Sequence, residues 1–303
     1  MAHYLVGDMI YENRVVRGYS QEELCFGICS TSSLSRIENN LQVPGKKLFD
    51  ALMQRLGVSE AVYGRFISRE EMELFRLKQE LIWKLENLDF EHLDALTEEM
   101  ERRIHGRNDL DRQYLLFVKA SILKNRKGAA AEVLCLLLDA LHITMPGFAA
   151  ACHLKKRLLT FDEITILNGI ALAYAELGER EQELSLLLEL KLYLESHQID
   201  EEEKARKYPM ILYNLSLALG SGRRYQEAYE LCGEGVDYCI SHNKLAVLPF
   251  LLNNRACAAA ELGKRTKARE FFQQAVMLFQ VCKKEQFAIR IQTEARKRYG
   301  LEL

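Results

Sequence analysis

The sequence predicts an all-α protein, with a set of short N-terminal helices followed by stacked helix pairs. Three observations carry that reading. Proline (4) and glycine (17) are sparse among 303 residues, while the strong helix formers Leu, Ala, Glu and Lys abound. A capped pair of short helices is written into the first sixty residues. The C-terminal half repeats itself at an interval of 40 residues.

Hydrophobic residues make up 49% of the chain, enough to bury a core and too many for a disordered polymer. The net charge of −2 does not by itself advertise a polyanionic partner. Eight cysteines stand at 25, 29, 135, 152, 232, 239, 257 and 282 with no C-x-x-C pair, so buried reduced thiols are expected in place of disulfides or zinc. The opening "MAHYLVGDMIYENR" places Asp8 and Glu12 before a secretory apolar run can develop. The most apolar stretch, "VLCLLLDALHI", is cut by Asp139 and too short for a bilayer, so a cytoplasmic protein with no membrane partner is expected. Seven histidines (3, 92, 105, 142, 153, 197, 242) are scattered, and no zinc-protease, phosphate-loop or nucleophile-elbow motif appears. No enzyme, metal or cofactor is expected.

The first element is an amphipathic helix over roughly Val6–Val16. Ser20 followed by Gln21-Glu22-Glu23 is a capping-box pattern that starts a short helix, which Gly27 ends by adopting a left-handed turn conformation. Ser30 caps a second short helix, Thr31 to Asn39, with Leu34 and Ile37 facing inward. After Pro44, "KKLFDALMQRLGV" gives a further helix. Two short helices joined by a glycine turn and packed between longer ones form a helix-turn-helix.

The residues Gly7, Ile10, Arg14, Gly18, Ser20, Gln21, Leu24, Leu34, Ser35, Ile37 and Glu38 together resemble the Xre-type, phage-repressor-like DNA-binding domain. The turn "GICS" is one residue shorter than that family's norm. The shortened form resembles the Rgg/PlcR-like (RRNPP) peptide-sensing regulators. Outward side chains of a recognition helix must be short or able to hydrogen-bond base edges. Thr31, Ser32, Ser33, Ser35 and Arg36 meet that need, and the resemblance places Thr31, Ser32 and Arg36 nearest the bases. It places Gln21, Ser33, Asn39, Asn40, Lys46 and Lys47 at phosphates, contacts that position without reading sequence. It also implies a structural ion pair between Arg14 and Glu38. The alternative for the serine run is a solvated surface helix. Residues 1–60 hold six Lys/Arg against seven Asp/Glu; a net charge of −1 gives weak non-specific affinity, so a homodimer reading two half-sites is expected.

The segment 57–71 reads as a junction, giving an expected DNA-binding domain over 1–60, a linker over 61–70 and a repeat domain over 71–303. A shift of 40 residues aligns Pro209/Pro249, Leu212/Leu252, Asn214/Asn254, Ala218/Ala258, Ala228/Ala268, Glu230/Glu270 and Val236/Val276, seven identities in 28 positions. Ala256, Gly263, Ala268 and Ala275 match the small-residue and glycine positions of a tetratricopeptide repeat. "LNGIALAYAELGEREQELSLLLEL" is similar, with Ala171, Tyr174 and Gly178 in register and Glu183, or Leu184 after a one-residue slip, at the usual Ala position. Fainter copies lie at 111–142 and 71–104, and "EQFAIRIQTEARKRYG" reads as a capping helix. About five pairs and a cap imply a right-handed α-solenoid with a concave groove.

By this resemblance Asn214 and Asn254 face the groove at equivalent positions, beside Tyr213 and Asn253, with Asn168 in the preceding unit. An asparagine has both a donor and acceptors, so it can hold the backbone of an extended peptide; the alternative is that these side chains merely face water. Arg206, Lys207 and Arg255 are candidates for a peptide carboxylate, or simply part of a solvated face. The combined resemblance implies a transcription regulator that binds double-stranded DNA and a short signalling peptide. The alternatives are a repeat-type interaction scaffold, or an Xre regulator answering to a protein partner.

Overall fold

A computed structural model describes residues 6–58, 69–86, 89, 91–104, 109–148, 154 and 157–303. Every regular element among them is helical. The chain forms two compact units, residues 1–182 with 196–200, and residues 183–195 with 201–303.

The first unit opens with α1 (Val6–Val16), α2 (Gln21–Cys25), α3 (Thr31–Glu38) and α4 (Lys46–Arg55). These close around Ile10, Leu24, Leu34, Ile37, Leu52 and Leu56, all fully buried. Local chemistry sets the helix starts. Ser20 accepts the Glu23 N–H while the Glu23 carboxylate accepts the Ser20 N–H, a complete capping box. Ser30 accepts the Ser33 N–H at the start of α3. Gly27 takes φ +69 between the two helices, and a Cβ there would lie 1.9 Å from the Thr144 carbonyl oxygen. Glycine is needed twice over, for the dihedral and for the space.

The same unit continues through α5 (Arg69–Glu86), α6 (Leu93–Arg103), α7 (Asp109–Asn125), α8 (Ala130–Thr144) and α9 (Phe161–Leu177). Leu81, Leu93, Met100, Tyr114 and Val118 form a second core. A buried polar cluster ties α4 to α9. Arg55 donates to the Leu24 and Phe26 carbonyls and, at 3.4 Å, to Glu163. Glu163 also accepts from Thr144 Oγ1 at 2.6 Å and from the Thr160 N–H at 2.6 Å. The ion pair is almost fully withdrawn from water, a placement that is tolerated because the surrounding donors satisfy the carboxylate. Most of the expected junction lies outside the described residues.

Helix α10 (Arg180–Ser196) carries most of its residues in the second unit, which continues with α11 (Glu201–Ser221), α12 (Tyr225–Ser241), α13 (Leu248–Glu261), α14 (Arg265–Val281) and α15 (Glu285–Tyr299). Helices α11 to α15 pack in chain order, each on the next, as tetratricopeptide-like pairs. The 40-residue period is visible in the turns. Arg223 and Gly263 both take positive φ, and the following Arg224 and Lys264 share φ −83, ψ 57. Asn243 and Lys283 are likewise 40 apart, at φ 55 and 56. Buried positions recur too: Leu212 and Leu252, Ala218 and Ala258, Ala228 and Ala268, Val236 and Val276.

Two sequence expectations change. Glu183 itself is buried, at 3% exposure, while Leu184 is half-buried, so the repeat register does not slip. The aligned prolines play different parts. Pro249 starts α13, but Pro209 lies inside α11, because the acidic first turn at Glu201, Glu202 and Glu203 nucleates that helix two turns earlier.

Candidate functional site

The outward face of α3 is the first candidate. Leu34, Ile37 and Glu38 point inward, whereas Thr31, Ser32 and Arg36 are exposed. The helix is held from behind by Arg14, whose guanidinium donates to both Glu38 oxygens at 2.6 and 2.7 Å. This bidentate pair raises the Arg14 pKa above its ordinary value, chiefly through the Glu38 hydrogen bond. The ion pair implied by the resemblance is present.

The residues expected at phosphates have intramolecular partners. Gln21 Nε2 donates to Glu38 at 2.7 Å. Ser33 Oγ accepts from Ser30 Oγ at 2.9 Å, and Asn39 donates to the Ser35 carbonyl at 2.7 Å. Asn40, at φ +57, donates to Asp8 and accepts the Gly7 N–H. Lys46 pairs with Asp50 and Lys47 with Asp111. Arg36 has no carboxylate partner among the described residues. Of the cations named for this face, it is the one whose charge is left unbalanced.

The second candidate is a cavity of about 490 Å³ wholly within the second unit, inside the range of small-ligand sites, about 300–1,000 Å³. The first helix of each successive pair and the last helix line most of it, through Tyr213, Asn253, Asn254, Phe287 and Arg290 among others. Asn254 Nδ2 donates to Ser216 Oγ at 2.9 Å and reaches the Tyr213 carbonyl at 3.5 Å, so it fastens α13 to α11. Asn253 Oδ1 is buried without a hydrogen-bond partner. Burial raises the Tyr213 phenol pKa and keeps it a donor.

The expected peptide set is therefore divided. Tyr213, Asn253 and Asn254 line the cavity. Asn214 is 3% exposed and is not among the lining residues; the 40-residue equivalence with Asn254 does not extend to its surroundings. Asn168 is half-buried on α9, in the first unit. The cations singled out from the sequence are engaged elsewhere: Arg206 and Lys207 pair with Glu203, and Arg255 lies over the Tyr229 and Phe271 rings at 4.9 and 4.7 Å. Sequence reasoning missed Arg290 and Phe287, because "EQFAIRIQTEARKRYG" reads as a terminal cap and a cap is expected to face water.

A profile of helix-turn-helix domains matches residues 10–63, and a profile of the RNPP family C-terminal domain matches residues 154–301. The chain joins a helix-turn-helix domain to an RNPP family C-terminal domain. No curated protein matches it. Among solved structures it is similar to Bacillus thuringiensis PlcR in complex with the peptide PapR7 and DNA, with a TM-score of 0.64 and 19% identity over 94% of this chain and 98% of that one. It is also similar to ComR from S. thermophilus in complex with DNA and its signalling peptide ComS, with a TM-score of 0.52 and 14% identity over 98% and 100%. Aspartyl phosphate phosphatase F from Bacillus subtilis gives a TM-score of 0.54 and 14% identity over 99% and 81%. At such identities the likeness is one of fold. The phosphatase shows that this helical scaffold does not dictate a single activity. The cavity lies in the RNPP domain, and α1 to α4 lie largely in the helix-turn-helix match.

Proposed function

We propose that the chain is a sequence-specific DNA-binding transcription regulator whose repeat domain binds a short signalling peptide and so controls the geometry of a homodimer. In this reading residues 1–60 read DNA, 61–70 link, and 71–303 sense, in the cytoplasm. One observation carries it: α3 presents Thr31, Ser32 and the unbalanced Arg36 to solvent on a fully capped helix-turn-helix, in the same chain as an RNPP domain with an open cavity. PlcR and ComR, which share the fold, were solved with DNA and a peptide.

Arg36 donates to a guanine edge in bidentate fashion, a contact worth about 1–3 kcal/mol of discrimination. Thr31 and Ser32 contact neighbouring bases, while Gln21, Ser33, Asn39, Asn40, Lys46 and Lys47 set the register against phosphates. Lys46 and Lys47 exchange Asp50 and Asp111 for phosphate on binding. That exchange lowers their net gain and makes the pairing of two half-sites, about 34 Å apart, a requirement for tight binding. Peptide binding acts only if the peptide prefers one dimer geometry over the other.

The test is selection of a site from randomised duplex DNA, then mobility shift with the wild-type chain and Arg36→Ala. The variant is expected to lose about tenfold or more on the selected site and little on random duplex. If no duplex is enriched, and binding at low salt is insensitive to Arg36, the helix-turn-helix is not a reader and an interaction scaffold is the better description.

A further inference from the structure

The second-unit cavity has a chemical polarity that narrows what it binds. On one side stands an aromatic cluster. Phe250 meets Phe279 edge-on at 4.8 Å and Phe287 at 5.3 Å, Phe279 stacks on Phe287 at 5.3 Å, and Tyr213 meets Phe250 at 5.6 Å. All four rings line the cavity. One turn along α15 from Phe287, Arg290 also lines it, its guanidinium 6.0 Å from the Phe287 ring centre.

The charges around the cavity do not balance. Arg298 pairs with Glu261 at 2.7 Å and lies 3.8 Å from Glu294, so these two acids are committed to it. Arg223 and Arg290, the other lining cations, are exposed and have no carboxylate partner among the described residues. Asn253 adds a buried acceptor with nothing donating to it, and the hydroxyl of Tyr213, which lines the same cavity, is a donor. An apolar wall, a guanidinium without a carboxylate partner, a phenol lining the same cavity and an orphaned amide carbonyl oxygen are complementary to three parts of a peptide.

We propose that this cavity takes a peptide segment bearing a carboxylate next to an apolar side chain. Arg290 and Tyr213 hold the carboxylate, the Phe250–Phe279–Phe287 cluster holds the apolar side chain, and Asn253 Oδ1 accepts an N–H of the peptide. The proposal rests on reading the repeat domain as a peptide receptor, and it names the chemistry that the receptor selects. The carboxylate is either an Asp/Glu side chain or the peptide's C-terminus.

The experiment is affinity selection on the full chain from two randomised hexapeptide libraries, one acetylated and amidated, the other acetylated with a free C-terminus, with retained peptides read by mass spectrometry. Wild-type protein, Arg290→Gln, Arg290→Lys and the exposed control Arg269→Gln are compared. The expected result is enrichment of Asp/Glu beside Leu, Phe or Trp in the amidated library, or of free termini behind such residues in the other. Arg290→Gln reduces that enrichment about tenfold, as loss of a charge-assisted hydrogen bond should, while Arg290→Lys retains part of it and Arg269→Gln all of it. Retention of apolar peptides without acidic or free-terminus bias, or a bias indifferent to Arg290→Gln, overturns the carboxylate assignment and leaves a peptide receptor standing. Retention of no peptide from either library overturns both.

Discussion

Arg14 and Arg36 place one residue type in opposite surroundings within a single small domain. Arg14 directs its donors to Glu38 and to the Tyr19 carbonyl, while Arg36 is exposed and has no carboxylate partner among the described residues. Removing Arg14 leaves the Glu38 carboxylate, whose side chain is 2% exposed, with Gln21 as its one remaining side-chain donor among the described residues. Arg14→Ala should cost about 3 kcal/mol in urea unfolding, and the double variant Arg14→Met/Glu38→Leu should recover much of it, because no buried charge is then stranded. If the double variant is no better than the single one, the pair is not the source of the loss. Arg36→Ala should leave the unfolding midpoint unchanged. The sequence made this contrast legible, since both arginines fall at positions of a local pattern. It could not show Arg55 meeting Glu163, a pair separated by 108 residues that no periodicity connects. Nor could it show Arg290 turned toward the cavity, because the side a terminal helix presents depends on the packing of the helix before it.

At the scale of elements, the helix starts in the first sixty residues were readable because capping is a transaction among four consecutive residues. The repeat was readable because stacked pairs impose the same packing every 40 residues. What the repeat concealed was departure from itself: Asn214 is buried where Asn254 is not, and Pro209 is mid-helix where Pro249 is terminal. Two glycines provide a controlled comparison. Gly27 and Gly263 have φ +69 and +73, yet a Cβ on Gly263 would meet nothing within 4 Å. Gly263→Ala should therefore cost only the left-handed strain, about 1–2 kcal/mol. Gly27→Ala, which drives a methyl into the Thr144 backbone, should exceed that severalfold and lower the thermal midpoint further. Equal midpoints for the two variants would contradict the close approach at Gly27.

For the molecule as a whole, chemical accessibility gives a direct check. Burial pushes the thiols of Cys29, Cys239 and Cys257 up to about 11 and that of Cys232 to about 12, while Cys135 and Cys282 are exposed. Among the seven described cysteines, iodoacetamide at pH 8 should label Cys135 and Cys282 first in the native protein, with the others following only on unfolding. Fast modification of Cys232 would mean that α12 is not packed as described. Sedimentation of the chain with and without selected duplex tests the proposed homodimer: one duplex carrying two half-sites should bind two chains, and a single half-site should bind far more weakly.

The recurrence of the turns has a consequence for how such a chain can change length. Residues 224 and 264 share their backbone angles, so excising 225–264 would splice two matching conformations and shorten the array by one whole module. Duplicating the same stretch would lengthen it with equally little disturbance at the seam. Repeat arrays of graded reach are thus accessible by a single recombination event, without redesigning any junction.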